Sequence, residues 1–436
     1  MVHHTIKTSR ASAPRASSKI TPMMFRWMGR PGWAAAAILG VLTGCSTPQP
    51  PSPSGAPATP RSAPPLATPA TPAPPPQAAA ASGERRTLLR ERSRWVSADW
   101  AELPGWGDDA VQAAWPALLR GCEKPAAGWA ALCAQARQAR PADDWEIRLW
   151  LMKHLQPWRV ESLEGQAEGL VTGYFEPQLE ARRQAQAGFR VPLLAPPQDL
   201  ARRRPYLTRQ QIEAEAAAQL ARHGAPRHQD ARGGGPLFES LAWVEDPLDA
   251  LVMHIQGSGR LRITEPDGSS RWVRLAFAGH NDQPYRSVGR WLLDQGELRP
   301  GEASWPGIKD WARRNPQRLR EMLGANPRYV FFREEPLPDL AVGPRGAQGV
   351  PLTPGRSIAV DRASIPYGTP VWLDSTEPLS STPLRRLVMA QDTGSAIVGA
   401  VRADFFWGWG SEAEAQAGRM KQPLRLWALW PRDNAL

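Results

Sequence analysis

The pattern of apolar and polar positions divides this chain of 436 residues into alternating helical and β-rich stretches. Between about residues 83 and 155, apolar residues recur at helical spacing, which predicts helices. Their apolar positions are Val111, Ala114, Trp115, Leu118 and Leu119 in one helix and Trp145, Ile147, Leu149, Leu151 and Met152 in another. Asp143 directly precedes the second helix and is expected to cap its N-terminus.

Beyond Val160 the pattern changes to short aromatic and β-branched runs separated by Gly and Pro. Strands are predicted at 251–256, 260–264 and 272–277, and later in RYVFFRE, SIAVD, TPVWLD, RLVMAQD, RADFFWG and RLWALWP. Helices are predicted in RSVGRWLLDQGEL and SWPGIKDWARRNPQRLREMLGANP. This order indicates a mixed α+β chain, mainly β, with two β-barrel-like lobes and a ligand groove between them.

The N-terminal region has the composition of an export signal. Arg26 and Arg30 precede an apolar run at 33–42, which is shorter than the roughly 20 residues that span a bilayer. The sequence LTGC at 42–45 resembles a bacterial lipobox, which implies cleavage before Cys45 and lipidation of its thiol. Because Ser46 rather than Asp follows, outer-membrane sorting is expected. Residues 46–82 are dominated by Pro, Ala, Ser and Thr and are expected to form an extended tether.

Charge and cysteine content narrow the function classes. The formal net charge is +11, but no dense Lys/Arg block with interleaved aromatics is present, so no nucleic-acid partner is expected. Export implies an oxidising compartment, which favours a disulfide between Cys122 and Cys133. The seven His residues lack metal-ligand spacing and no nucleotide loop is found, so neither a metal nor another cofactor is expected.

Three aspartates near the C-terminus each allow two interpretations. In VRADFFWGWG at 401–410, a strand would place Arg402, Asp404 and Phe406 on one face. Aromatic neighbours would then desolvate Asp404 and keep it protonated as an acid, or Asp404 could instead pair with an arginine and hold a turn. Asp392 in DTGSAIVG is either a turn former or a catalytic group, and Asp361 is either a loop clamp or a catalyst.

The stretch HIQGSGR at 254–260 has little side-chain bulk, so a large ligand could approach its backbone. Gln256 and Ser258 would supply neutral hydrogen bonds of the kind that sugar hydroxyls require. His254 alternates with Gln256 and is expected to be a core histidine.

Seven ordered segments together resemble one protein family. They are the LTGC lipobox, GYFEP (173–177), MHIQGSGRL (253–261), GHNDQPYRSVGRWL (279–292), NPRYVFFR (326–333), PLTPGRSIAVDRASIPYGTPVWL (351–373) and MAQDTGSAIVGAVRADFFWGWGSEAEAQAGRMKQPLRLWALWP (389–431). The chain resembles the membrane-bound lytic murein transglycosylase A family, and its C-terminal part resembles the three-aspartate, or 3D, domain.

This resemblance implies a double-psi β-barrel lobe with helices, built from both ends of the mature chain, and a second small β-barrel lobe inserted between them. The implied segments are a signal peptide at 1–45, a tether at 46–82, helices and the first part of the catalytic domain at 83–179, the inserted domain at 180–345, and the 3D domain at 346–436.

The resemblance also implies a reaction, namely non-hydrolytic cleavage of the β-1,4 bond between MurNAc and GlcNAc in peptidoglycan, leaving 1,6-anhydro-MurNAc ends. The family's single catalytic acid falls on Asp404, while Asp392 and Asp361 match the other two aspartates of the 3D domain. One carboxylate suffices because the C6 hydroxyl of the sugar is the nucleophile, and Asp392 is expected to support it. The residues expected to contact the glycan are Tyr174, Glu176, Gln256, Gly257, Ser258 and Asp361.

The expected partners are peptidoglycan glycan strands, outer-membrane lipid through Cys45 and, as further candidates, cell-wall synthesis or division proteins. The expected location is the periplasmic face of the outer membrane of a Gram-negative bacterium. Two alternative functions stay open. An inverting glycoside hydrolase on a similar barrel would need a second carboxylate about 6.5–9.5 Å from the first. A peptidoglycan-binding lipoprotein without catalytic activity would need none.

Overall fold

The computed structural model describes residues 85–223 and 238–432. The predicted signal peptide, Cys45 and tether therefore lie outside the described residues. Within those ranges, no helix is both long and apolar enough to cross a membrane.

One sheet contains a closed ring of strands. Its strands are β1 (Thr87–Leu89), β2 (Arg94–Ser97), β3 (Leu155–Glu161), β4 (Gly169–Glu176), β11 (Ser357–Val360), β12 (Pro370–Thr376), β13 (Pro383–Asp392), β14 (Arg402–Trp409) and β15 (Lys421–Pro431). The order β15-β12-β13-β11-β14-β4 returns to its start because the first half of β15 also pairs with β4. Strands from both ends of the chain therefore close one barrel, which confirms the double-psi β-barrel lobe and the α+β, mainly β class.

A second sheet is formed by the chain between residues 178 and 336. Its strands are β5 (Gln178–Arg182), β6 (Val191–Leu194), β7 (Ser240–Val244), β8 (Ser258–Thr264), β9 (Ser270–His280) and β10 (Val330–Pro336), in the spatial order β10-β9-β8-β5-β7-β6. This second lobe has its own apolar core, which includes Leu261, Val273 and Phe332.

Helices cover both lobes. They are α1 (Trp115–Gly121), α2 (Ala130–Gln138), α3 (Asp144–His154), α4 (Arg209–His223), α5 (Pro247–Gln256), α6 (Val288–Asp294), α7 (Trp305–Arg314), α8 (Leu319–Gly324) and α9 (Gly410–Ala417). Asp143 accepts a hydrogen bond from the backbone N–H of Glu146, so the predicted cap of α3 is confirmed. The helix predicted at 305–324 is interrupted at Asn315.

One prediction about the helical stretch before residue 155 is wrong. Strands β1 and β2 precede the helices, because strands of three and four residues leave no readable alternation. On α3, only Ile147 and Leu151 are buried, whereas Trp145, Leu149 and Met152 are 65%, 46% and 37% exposed. The apolar residues of this helix therefore form a second, outward face.

The strand predicted at 251–256 is also wrong, because these residues belong to α5. The helix begins with Asp246 as N-cap and Pro247 in the first turn, and ends at Gly257, whose φ of +80° is left-handed. Most of its length is buried, so its apolar run has no helical periodicity to distinguish it from a buried strand. The strands predicted at 260–264, at 272–277 and in the six later segments are confirmed.

The helices before β3 are bound tightly to the barrel. Cys122 and Cys133 form a disulfide with a Cα–Cα distance of 5.3 Å. Arg356 makes a buried bidentate ion pair with Asp109, and Oδ2 of Asp109 also accepts a hydrogen bond from the backbone N–H of Leu387 on β13. This buried carboxylate joins the N-terminal helical stretch to the C-terminal strands.

A buried ion cluster joins the two lobes. Glu176, at the end of β4, is fully buried and pairs with Arg260 of β8 at 2.7 Å and with Arg274 of β9 at 2.6 Å. The Arg260 guanidinium lies 3.6 Å from the centre of the Trp409 ring at the end of β14. Both arginines also donate to the backbone carbonyl of Val342, on the segment that returns to the barrel. The Glu176 carboxylate is therefore held by two buried cations, and backbone carbonyls and the Trp409 ring satisfy the remaining donors of the two arginines.

Replacing Arg260 with Met should lower the free energy of unfolding by about 2–4 kcal/mol, because the buried Glu176 carboxylate loses one of its two cationic donors and the Leu340 carbonyl loses its donor. Equilibrium denaturation in urea measures the change. Arg262→Met is the matched control, because Arg262 lies two residues along the same strand and pairs with Glu180 in solvent. It should cost less than about 1 kcal/mol. Equal losses in the two variants would contradict the inferred role of the cluster.

Candidate active site

The site is built on the parallel pair of strands β14 and β4. In their register Arg402 lies opposite Leu170, Asp404 opposite Thr172 and Phe406 opposite Tyr174. Alternate residues of a strand point to the same side, so these residues of β14 share a face, as predicted. The Thr172 hydroxyl donates to Oδ1 of Asp404 at 2.6 Å, and Nη2 of Arg402 donates to the Thr172 hydroxyl at 2.9 Å.

The environment of Asp404 favours its protonated form. Burial raises the pKa of Asp404 to about 6, although the Thr172 hydrogen bond and the Arg402 charge lower it, and the Asp392 charge raises it further. Within the described ranges, Asp404 has no ion pair, and its only hydrogen bond is the one from Thr172, so Oδ2 has no partner. A carboxyl group in this state can donate a proton near neutral pH.

Asp392, at the end of β13, has both carboxylate oxygens engaged. Oδ1 accepts from the backbone N–H of Ala347 at 2.9 Å, and Oδ2 accepts from the Tyr174 hydroxyl at 3.0 Å. Burial raises the pKa of Asp392, and these hydrogen bonds lower it. The Tyr174 ring packs against Phe406, with centroids 5.1 Å apart. Tyr174 therefore links the second aspartate to the face that carries Asp404.

Asp361 clamps a loop. Oδ1 accepts from the backbone N–H of Ala363 at 3.0 Å, Oδ2 accepts from that of Gly399 at 2.9 Å, and Arg92 lies 3.6 Å away. Gly399 belongs to the loop between β13 and β14. Asp361 thus holds the connection between the strands that carry Asp392 and Asp404, which matches the loop-clamp interpretation.

The stretch 256–258 comes next to β4 from the second lobe. Oε1 of Gln256, the last residue of α5, accepts from the backbone N–H of Phe175 at 3.1 Å. Phe175 is adjacent to Tyr174, so Gln256 lies close to the Asp392 contact. Gly257 ends the helix and Ser258 begins β8, and both are partly exposed. In the described part of the chain, the Gln256 side-chain nitrogen has no hydrogen-bond partner.

Glu176 and His254 are both buried. Glu176 was expected to line the groove, but its side chain is completely buried between Arg260 and Arg274 and cannot reach a ligand there. His254 is a core histidine, stacked near Tyr329 and Phe332. No cluster of three or more His, Cys, Asp and Glu suited to a metal occurs among the described residues.

Two partly open cavities among the described residues lie away from the aspartates. One of about 180 Å³ is found at the lobe junction and is lined by residues such as Val252 and Ser411. A larger polar one, of about 570 Å³, lies beside α7. Neither cavity is lined by Asp361, Asp392 or Asp404.

Thr172 is a site residue that was not predicted from the sequence. Thr172 and Tyr174 alternate in GLVTGYFEP, which would have shown that they share a face of β4. The pairing of that face with Asp404, 232 residues later, leaves no local signal.

Comparison with family models matches residues 170–333 to the MltA specific insert domain and residues 356–430 to the 3D domain. Two similar relatives are both named membrane-bound lytic murein transglycosylase A. The one from Vibrio cholerae is 32% identical over 61% of this chain and 66% of its own length. The one from Escherichia coli K12 is 30% identical over 63% of this chain and 69% of its own length.

Solved structures of lytic transglycosylases are also similar to this chain. The lytic transglycosylase LtgG of Burkholderia pseudomallei is 42% identical, with a TM-score of 0.54 over 80% of this chain and 98% of its own. MltA from Neisseria gonorrhoeae is 33% identical, with a TM-score of 0.65 over 80% and 95%. E. coli MltA with bound chitohexaose is 25% identical, with a TM-score of 0.56 over 77% and 92%. The chain therefore belongs to the membrane-bound lytic murein transglycosylase A family, a family of peptidoglycan-cleaving lytic transglycosylases.

Proposed function

We propose that this protein cleaves the β-1,4 bond between MurNAc and GlcNAc in peptidoglycan without water, leaving 1,6-anhydro-MurNAc ends. Asp404 is the general acid and then the general base. The observation that carries this assignment is that Asp404, alone among the three aspartates, has an oxygen without a partner in the described part of the chain. Its pKa, raised to about 6, suits proton transfer to the departing glycosidic oxygen.

The proton moves in a closed cycle. Asp404 gives its proton to the leaving oxygen as the bond to the anomeric carbon of MurNAc breaks. The C6 hydroxyl of the same sugar then attacks that carbon and returns its proton to Asp404. The enzyme ends the cycle in its starting protonation state, so a second carboxylate is not required.

The state of Asp392 supports this mechanism over hydrolysis. An inverting hydrolase needs a second carboxylate that activates a water molecule. The Asp392 oxygens accept hydrogen bonds from Ala347 and Tyr174, and the Asp361 oxygens from Ala363 and Gly399. Asp392 acts instead through its negative charge, which raises the pKa of Asp404 and stabilises the developing oxocarbenium ion.

The glycan contacts are proposed from the residues around Asp404. The Gln256 side-chain nitrogen can donate to a sugar hydroxyl while its oxygen stays bound to Phe175. The partly exposed Ser258 and Tyr174 lie on either side of the same lobe contact. The relative solved with chitohexaose supports an oligosaccharide as the ligand class.

A membrane anchor is proposed from the sequence alone. The lipobox at Cys45 and the Pro/Ala-rich stretch after it would hold the enzyme by a flexible arm at the periplasmic face of the outer membrane. Such an arm confines the enzyme near its polymer. Cell-wall synthesis or division proteins are further proposed partners at that location.

Asp404→Asn should reduce the release of muropeptides from purified sacculi by about 10²–10⁴-fold, because it removes the only proton donor. Liquid chromatography with mass spectrometry measures the products. Unchanged thermal unfolding would show that the fold is intact. Asp392→Asn serves as the control and should retain more activity, because it keeps the acid and loses only a supporting charge.

Digestion in H₂¹⁸O tests the nucleophile separately. Wild-type protein should release anhydro ends of unlabelled mass. Reducing ends that carry ¹⁸O at the anomeric carbon would establish a hydrolase, and full activity of Asp404→Asn would remove Asp404 from the mechanism.

Thr172→Val should move the alkaline limb of the pH–rate profile upward, by as much as about one pH unit. The Thr172 hydrogen bond lowers the pKa of Asp404, so its loss raises that pKa above about 6. Since the acid is active when protonated, activity then persists to higher pH. Thr264→Val, in the second lobe, should leave the profile unchanged. A downward shift in Thr172→Val would contradict the assignment of Asp404 as the acid.

A further inference from the structure

Helix α3 carries an apolar face that its own lobe does not cover. Trp145, Leu149 and Met152 are spaced by four and three residues and are 65%, 46% and 37% exposed. Residues at this spacing lie along one stripe of a helix. Trp145 is the one tryptophan in the described ranges that is classed as exposed. Large apolar residues that form a continuous exposed stripe mark an interaction surface.

The core side of α3 is already satisfied, so the stripe does not reflect poor packing. Ile147 and Leu151 are 1% and 0% exposed in the core of the barrel lobe. Trp150 stacks on Trp115 at 5.1 Å. One face of α3 therefore packs against the barrel lobe, and the face with Trp145, Leu149 and Met152 is exposed to solvent.

We propose that α3 pairs with α3 of a second copy of this chain, in antiparallel orientation about a two-fold axis near Leu149. The three apolar residues fit the d, a and d positions of a heptad, the seam along which two helices pack. Leu149 lies at the middle of the stripe. A two-fold axis there places Leu149 against Leu149 of the second copy, and Trp145 near Met152 of the second copy.

The charges beside the stripe select the antiparallel arrangement. Glu146 and Lys153 are both exposed and lie about two helical turns apart. Glu146 directly follows Trp145, and Lys153 directly follows Met152. Antiparallel pairing puts Glu146 of each copy near Lys153 of the other, which gives two attractive contacts. Parallel pairing would put Glu146 and Lys153 of the two copies on opposite sides of the seam and would lose both contacts. Antiparallel helices also oppose their dipoles favourably.

The same charges argue against a lipid surface as the occupant. The Trp145 end of the stripe is surrounded by Asp143, Asp144 and Glu146, which anionic headgroups would repel. A helix of 11 residues is about 16 Å long, so the contact is small and the dimer should be weak. Confinement of two copies to one membrane would raise their local concentration.

Cysteine cross-linking tests the two-fold axis. In the full chain with Cys45 replaced by Ser, Leu149→Cys should form a disulfide-linked dimer under mild oxidation, because the two thiols meet across the axis. The control is Leu379→Cys, which is 78% exposed in the turn between β12 and β13. It should give only the dimer yield of random collisions. Equal yields from the two variants would overturn the proposal.

Charge reversal tests the orientation, with sedimentation velocity over a concentration series as the measurement. Glu146→Lys and Lys153→Glu should each weaken the dimer by roughly 3- to 30-fold, because each places like charges together. The double variant E146K/K153E restores both attractive contacts and should regain wild-type association. Thermal unfolding of each variant checks the helix, since Glu146 also accepts from the backbone N–H of Ala142.

Two results would overturn the proposal. One is a wild-type protein that stays monomeric at every concentration. The other is a double variant that associates no better than the single ones. Flotation with vesicles of anionic and zwitterionic lipid tests whether a membrane, rather than a second copy of the chain, covers the stripe. Binding to vesicles by a protein that remains monomeric, lost on Leu149→Glu, would assign the stripe to a membrane and exclude the dimer.

Discussion

Closure of the barrel by β15 is the constraint on which the rest of the structure depends. The first half of this strand pairs with β4, and its second half pairs with β12 and β3. Without that strand β4 would be an edge and the ring would open. Because the ring is closed, β4 is held parallel to β14, and only this register places Thr172 against Asp404. The chemistry of the site follows from a hydrogen-bond pattern between segments that are far apart in the chain.

The three aspartates show how one domain gives the same side chain different chemistry. Two are held by backbone N–H groups, which fix the loops around the strands. The third accepts a single hydrogen bond from the Thr172 hydroxyl, and burial raises its pKa to about 6. The loop clamp at Asp361 and the Tyr174 contact at Asp392 therefore contribute to the site by positioning the strands that frame the acid.

The contact between the lobes depends on an ion cluster rather than on apolar packing alone. Glu176 and Trp409 end two neighbouring strands of the barrel, and both meet Arg260 of the second lobe. Trp409 reaches this position because the register shifts after Phe406 and because Gly408 and Gly410 on either side have φ values of +103° and +86°. The glycines at the end of β14 thus connect the strand of Asp404 to the lobe that brings Gln256 to β4.

Much of the fold could be predicted from sequence alone. The late strands are bounded by Gly and Pro and are rich in aromatic and β-branched residues, so local physics determines them, and Asp143 could be recognised as a cap. Asp404 could be singled out because aromatic residues flank it. Local pattern failed for α5, which is buried on most sides. It predicted α3 but could not show which apolar residues of that helix face outward, because the exposed stripe has the same spacing as a core face. Only the tertiary structure decided that Glu176 is buried between arginines and that Thr172 donates to Asp404, because these contacts join strands that are 84 to 232 residues apart in the chain.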